Sequence, residues 1–502
     1  VPSPRTLTAL AAACTALTIG GCGGGETAGP LDNALGYLPE DAPFVVSIAT
    51  DPDGEQIENL GAILDRFPFG DQLGRQLEGL SDGDVDLQRD IVPLLGNEFV
   101  IGGVDARAFV EDGGGDEEFV GAIEAADGER LRELIEREET EQVGESDGAT
   151  LYRDEDGDFL AVEGDTLVVA GTRELLDGAL AQRDADDRLT EDAFEQRVEG
   201  LPQDAALRVT ADLQALIEAA PDAGSAREVE WVAALRDLGF SVSFAEDAVD
   251  LDFRVATEGD LSEEDLPLAA GEESPEVIDA EGELGIGLRG LSQIVRFGET
   301  TAQTVDPAGF GDFNTAKQTL ERQLDVDIDE DLLAPLDDGL SVTVTVGGDY
   351  GARASLEEPQ AFEDTLEQIA PALPDILENA GDGPVELTRP RGGQELYELS
   401  TPTETIAYGV LDDTFVLAND PARAAELADA ETTTPEAAEG AIALNADAGQ
   451  LVSRALSQLG AGGPGGGLSN SPVLGPLGEV TGSVAAETDG LSGNLRLTFD
   501  EE

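Results

Sequence analysis

Histidine is absent from all 502 residues. That excludes Ser-His-Asp and Cys-His catalysis, histidine-containing zinc sites and imidazole proton shuttling. Cysteine occurs twice, at Cys14 and Cys22, and tryptophan once. Lysine occurs only at Lys317, so every other one of the 27 basic residues is arginine. This reads as avoidance of AT-rich codons in a high-GC bacterium, with Val1 expected to be a GTG start. Positive charge is scarce overall: 108 Asp+Glu leave a formal net charge of −81 and a pI near 4.1. Nucleic acid, bound largely through Lys and Arg on phosphates, is excluded as a direct partner. Carboxylates this dense also repel one another in the compact state, which salt relieves by screening.

Long apolar runs are missing too. The one candidate, Leu7 to Ile19, follows Arg5 and is shorter than the roughly 20 residues that span a bilayer. It ends in Ile19-Gly20-Gly21-Cys22, and Gly23-Gly24-Gly25 follows. A charge, an apolar core and small residues before a cysteine are the order of an export signal closed by a lipobox. Residues 1–21 are therefore expected to be a lipoprotein signal peptide and Cys22 the lipidated first residue of the mature chain. Residues 22–37 would be a flexible tether. The chain would then be held at the extracytoplasmic face of the cell membrane through its lipid, which anchors more firmly than one marginal acyl chain.

Internal similarity is the strongest pattern beyond the leader. Asp84-Val85-Asp86-Leu87 with Asp90 and Pro93 reappears as Asp325-Val326-Asp327-Ile328 with Asp331 and Pro335. Each leads toward a Gly-Gly pair, at Gly102-Gly103 and Gly347-Gly348. Leu151-Tyr152 answers to Leu396-Tyr397, and the run Asp165 to Ala170 to Asp413 to Ala418. Within each copy, alternation marks strands. Phe240, Val242 and Phe244, then Leu251 and Phe253, predict a hairpin turning at Glu246-Asp247; Leu495, Leu497 and Phe499 end the second copy alike. Spacings of three and four predict helices through Ile57 to Phe67 and Leu131 to Ile135. A further helix from Phe362 should break near Ala370, because Pro371 and Pro374 follow. The expected class is α+β: a tandem duplication, each half an antiparallel sheet with helices packed on one face. Residues 38–257 form repeat 1, 258–280 an acidic linker and 281–502 repeat 2, with flexible insertions at 111–118 and 460–467.

The opening Leu38-Pro39-Glu40-Asp41-Ala42-Pro43, a strand, then Asp51-Pro52-Asp53-Gly54 and a helix ending near Phe67-Pro68 carry a family resemblance. The chain resembles an actinobacterial and cyanobacterial family of envelope lipoproteins catalogued as a domain of unknown function, DUF3352. The resemblance implies an exported location and supplies no activity, substrate or catalytic residue.

Chemical motifs are weaker. Gly79-Leu80-Ser81-Asp82-Gly83 spells a hydrolase elbow but has no histidine to serve it. Gly285-Ile286-Gly287-Leu288-Arg289-Gly290 spells a dinucleotide fingerprint, yet Ile286 and Leu288 read as inward residues of a strand, and no cofactor is expected. Two acidic clusters are the candidate metal ligands: Asp154, Asp156 and Asp158, which read better as a hairpin turn, and Asp325, Asp327 and Asp329, which read better as solvated acids before a helix. Arg389 and Arg391 form the one basic island and are the candidate contacts for an acidic partner. The reading is a non-enzymatic binding or scaffolding module at the membrane, its partner an envelope protein or a small ligand held between the halves. The alternative is an envelope hydrolase that uses carboxylates or a divalent metal. Oligomeric state is left open.

Overall fold

The computed structural model describes residues 29–67, 87–112, 119–137, 140–146, 148–154, 157–221, 223–278, 283–345, 347–380, 384–390, 396–435, 438–452 and 475–500. The chain is a mixture of helices and strands, with every strand pairing described in the main sheet antiparallel. It folds as two units: Val1–Gly224 with Leu235–Thr257 and Phe499–Glu502, and Ser225–Ala234 with Glu258–Thr498.

The first unit contains α1 (Pro30–Leu35), β1 (Phe44–Ile48), α2 (Glu55–Asp65), β2 (Phe99–Gly103), α3 (Ala106–Asp112), β3 (Phe119–Glu124), α4 (Gly128–Arg137), β4 (Glu141–Ser146), β5 (Ala149–Arg153), β6 (Phe159–Glu163), β7 (Thr166–Ala170), α5 (Arg173–Arg183), α6 (Glu191–Arg197), β8 (Leu207–Asp212), α7 (Leu213–Ala219), β9 (Leu235–Ala245) and β10 (Ala248–Thr257). The strands lie in the order β10-β9-β8-β1-β2-β3-β7-β6-β5-β4. The expected hairpin is present: β9 and β10 pair with Phe240 opposite Phe253 and Val242 opposite Leu251.

Helices cover both faces of this sheet rather than one. On one face Val45, Val100, Ala122, Val168, Ala161 and Leu151 pack under α1, α5 and α6. On the other Phe99, Ile123, Leu167 and Leu160 pack under Leu131 and Ile135 of α4. The physical reason is in the central strands. β7 is Thr-Leu-Val-Val-Ala with all five residues buried, a continuous apolar run that a sheet with one wet face would not tolerate. The alternating outer hairpins carried the one-face expectation, and the middle of the sheet overrules it.

The second unit contains β11 (Val277–Ile278), β12 (Glu283–Leu288), α8 (Leu291–Val305), α9 (Pro307–Leu324), β13 (Leu340–Thr345), β14 (Tyr350–Ser355), α10 (Pro359–Ile369), α11 (Leu373–Ala380), β15 (Glu386–Thr388), β16 (Tyr397–Ser400), β17 (Thr405–Leu411), β18 (Thr414–Ala418), α12 (Pro421–Ala428), β19 (Thr432–Thr433), β20 (Ile442–Asp447), β21 (Leu477–Glu487) and β22 (Gly490–Phe499). Its strands run β21-β20-β12-β13-β14-β18-β17-β16-β15. β22 returns along β21, where the Glu479 N–H donates to Thr498 Oγ1 at 2.9 Å. The helix from Phe362 breaks at Ala370, as Pro371 and Pro374 dictate. Again there is a core on each face: Val416, Ala418 and Ala407 under Ala424 and Leu427 of α12, and Tyr397, Tyr408 and Leu399 under Phe362 and Leu366 of α10.

The acidic stretch expected as a linker is built into this second unit. Leu266 is fully buried, and β11 pairs with β19. Pro275 to Ile278 crosses directly over β12, where a Cβ on Gly285 would lie 2.5 Å from Val277 and one on Gly287 2.6 Å from the Glu276 carbonyl. The two glycines of the apparent dinucleotide fingerprint thus admit the chain's own backbone. Gly290, the third, has φ +68° and caps α8.

Candidate functional site

Cys22, Asp156 and Arg391 lie outside the described residues, as do Asp84, Asp86 and residues 460–467. The remaining candidates are placed as follows. Asp154 closes the β5–β6 turn: its Oδ1 accepts the N–H groups of Gly157 and Asp158, each at 2.8 Å. Its own N–H donates to the Asp158 carbonyl. Both described members of that cluster therefore belong to a turn whose backbone uses them.

Asp325, Asp327 and Asp329 follow α9. Asp325 takes φ 54° at the helix's C-terminal end, a left-handed conformation that Asp tolerates better than most residues. Asp327 caps the next helical turn, its Oδ1 accepting from the N–H groups of Asp329 and Glu330 at 3.0 Å, while its own N–H donates to Asp331 Oδ2. Asp329 receives Lys317 Nζ at 2.8 Å, and the same amine reaches Glu299 Oε1 at 2.9 Å. Burial works to lower the Lys317 pKa, but these two carboxylates outweigh it and hold the amine above its ordinary value. The sole lysine thus ties α9 to α8 and to the turn that follows. Among the described residues no group of three or more acids or cysteines is gathered as a metal site.

Sequence reading passed over the buried polar groups. Tyr37 donates to Glu163 at 2.7 Å beneath Arg183, and burial followed by that carboxylate pushes its hydroxyl far upward. Arg208 pairs with Glu195 across the face of Phe194, and Arg423 pairs with Glu283. Asp90 is clamped between Arg89 at 2.7 Å and Arg137 at 3.0 Å. These are structural pairs; only the inward phase of Arg208 in β8 could have flagged one in advance.

Arg389, one of the two basic candidates, is exposed at the end of β15, beside a pair of tyrosines. Tyr397 and Tyr408 face each other across β16 and β17, their rings 5.2 Å apart and 13° from parallel. The Tyr408 hydroxyl is buried with no hydrogen-bond partner among the described residues. Burial, then the neighbouring Tyr397, pushes it well above the ordinary tyrosine range, against the opposing charge of Arg389. Burial and Glu367 raise Tyr397 in the same way, again opposed by Arg389. A stacked pair with one unpaired hydroxyl and one guanidinium can hold an oxygen acceptor.

The model of the family described as Protein of unknown function (DUF3352) matches residues 7–448. The chain belongs to this family. No curated protein matches the DUF3352 chain. Among solved structures, three crystal forms of TP0453 are similar to it. Form I is 12% identical with a TM-score of 0.27, covering 47% of this chain and 81% of that one. Form III is 9% identical with a TM-score of 0.25, covering 46% and 81%. Form IV is 8% identical with a TM-score of 0.25, covering 44% and 80%. At such scores the likeness carries no argument about this DUF3352 chain.

Proposed function

We propose that the chain is a lipid-anchored lipoprotein of the extracytoplasmic membrane face, built from two copies of one α+β unit, and that it binds or scaffolds rather than catalyses. Support for the duplication comes from register. With β1 set on β12, Gly102 of β2 answers to Thr343, Val120 of β3 to Gly351, Ala170 of β7 to Ala418 and Arg153 of β5 to Glu398. Small contacts agree. The Asp165 carbonyl accepts the Ala125 N–H in the first unit, and the Asp413 carbonyl accepts the Leu356 N–H in the second. Leu131 and Ile135 of α4 correspond to Phe362 and Leu366 of α10, and all four are buried.

The observation that carries the non-enzymatic reading is what the candidate carboxylates do. Asp154 and Asp327 are engaged with backbone N–H groups and Asp329 with Lys317, so their lone pairs serve caps and turns. The anchored location rests on the leader ending at Cys22. The test is fractionation of the wild-type chain and Cys22→Ser in a high-GC host, with mass spectrometry of the mature N-terminus and of what copurifies after mild extraction. Wild type should sediment with membranes carrying diacylglycerol on Cys22, and Cys22→Ser should be released or stay uncut. A Cys22→Ser protein that is processed and still membrane-bound overturns the anchor. A hydrolytic turnover lost in Asp327→Asn overturns the non-enzymatic reading.

A further inference from the structure

The two units differ where one face of the second has been enlarged. Val120 to Arg153 answers to Gly351 to Glu398, so this segment is 14 residues longer in the second unit, room that α11 occupies. α11 brings Leu373, Ile376 and Leu377, none of them buried, and Ile376 is 37% exposed. Leu373 and Leu377 pack on the same cluster as Leu387 of the edge strand β15 and Ile406 of β17, and all four stay partly open. An added helix whose described leucines and isoleucine are only partly covered leaves that side of the core open.

The second difference is chemical. Register places Tyr408 where the first unit has Leu160, a plain apolar core residue. Tyr408 is 4% exposed, and its hydroxyl lacks a partner among the described residues. A buried tyrosine hydroxyl ordinarily finds one, because leaving it unpaired forfeits the hydrogen bonds it had to water. The polar groups that bear on the pair are Arg389 and, from α10, Glu363 and Glu367 on the Tyr397 side. Among the described residues Arg389 is the cation whose charge acts on this hydroxyl, in a chain of net charge −81.

We infer that this face of the second unit binds an acyl chain bearing a carboxyl or ester oxygen. The hydrocarbon would lie along Leu373, Leu377, Leu387 and Ile406, with its oxygen accepting from Tyr408 beside Arg389. Partly open apolar side chains supply burial, and the orphan hydroxyl supplies orientation. The inference deepens the binding-module reading and rests on it.

The test is fluorescence titration of the purified chain with cis-parinaric acid, and separately with phosphatidylcholine vesicles carrying a parinaroyl chain. These two arms separate a free fatty acid from a phospholipid source. Saturable enhancement in either arm is expected. Tyr408→Phe should weaken it about 10-fold, the loss of one hydrogen bond, and Ile406→Trp should block it by filling the site. Thermal unfolding of unliganded Tyr408→Phe should occur at or above the wild-type midpoint, since an unpaired hydroxyl has been removed. Failure of both arms to saturate overturns the inference, as does undiminished binding in Ile406→Trp. A Tyr408→Phe protein that binds normally but unfolds earlier also overturns it, because the hydroxyl then serves an internal water. Membrane release of Cys22→Ser is read independently, so loss of parinaroyl binding with anchoring intact sinks this inference alone.

Discussion

Lys317 is the perturbation with the cleanest readout. The hairpin of α8 and α9 contains no buried residue; even Phe313 is 54% exposed. Its attachment therefore rests on polar anchors: Ser292 and Gln293 at the start of α8, and the amine that reaches Glu299 and Asp329. Lys317 itself is 11% exposed, while Asp329 is 55% exposed, so the full 3–5 kcal/mol of breaking a buried pair must be discounted for solvent. Lys317→Met is expected to cost about 1–2 kcal/mol, mostly from two carboxylates left facing each other. Because the hairpin packs on the sheet's core cluster through Leu291 at its very start, the effect on the rest of it should be local: amide exchange across 292–324 should speed by about 10-fold, with β13 and β14 unchanged. Adding Glu299→Gln to Lys317→Met should recover part of the loss by removing the repulsion. As the only lysine, Lys317 also gives a single side-chain resonance after reductive ¹³C-methylation. Its titration should fall above the ordinary lysine value, with the contribution to stability fully present below the unfolded pKa and lost as pH rises through the folded one. Unchanged exchange in the hairpin, or equal loosening of the whole second unit, would refute the reasoning.

Three further outcomes are expected. Gly287→Ala should destabilise the second unit by more than 2 kcal/mol in chemical denaturation, because the new methyl meets the Glu276 carbonyl backbone; a neutral result would mean that Pro275 to Ile278 does not lie on β12. Burial raises the pKa of Glu191, Asp237 and Asp252, so the folded state binds protons at higher pH than the unfolded chain, and stability should rise as pH falls from neutrality toward the carboxylate range. Asp32, held low by Arg188 and the Glu191 N–H against its burial, turns the curve over only below that; a midpoint falling steadily from pH 7 to pH 5 contradicts this sign. Finally, monovalent salt should raise the unfolding midpoint by screening, with calcium and magnesium equivalent at matched ionic strength, and Asp327→Ala should cost about 1 kcal/mol as a lost cap. A saturable calcium shift abolished in Asp327→Ala would instead make the cluster a metal site.

Much of this fold is legible in the sequence wherever one residue type forces one geometry. The break at Ala370 follows from two prolines, and the hairpin of Phe240 and Phe253 from strict alternation. The proposed duplication draws support from the register of Leu151-Tyr152 against Leu396-Tyr397 and of Asp165 against Asp413. The Gly-Gly pairs give none: Gly102 and Gly103 sit inside β2, opposite Val45 and Phe44, whereas Gly347 and Gly348 lie past β13 in its turn, because matching letters cannot report register. The linker expectation failed for a related reason. Local composition from Glu258 onward is acidic and proline-punctuated, but Leu266, Val277 and Ile278 are buried by residues distant in sequence. The candidate site was half legible: alternation in Thr405–Leu411 sets Ile406, Tyr408 and Val410 on one face, yet that Tyr408 lacks a partner depends on neighbours only the fold assembles.

The crossing of Pro275 to Ile278 over Gly285 and Gly287 also fixes where the second unit can be cut. A chain begun at residue 281 would keep every strand of the main sheet from β12 onward, yet would bare a glycine-floored stretch of sheet and orphan the Ser341 hydroxyl that accepts the Ile278 N–H at 2.8 Å. With no Cβ at Gly285 or Gly287, the sheet has no side chains of its own there to fill the gap that Val277 and the Glu276 backbone leave. The shortest autonomous fragment must therefore start upstream of Leu266, and a protease nicking between Glu258 and Glu276 would remove a piece of the sheet's cover rather than a spacer.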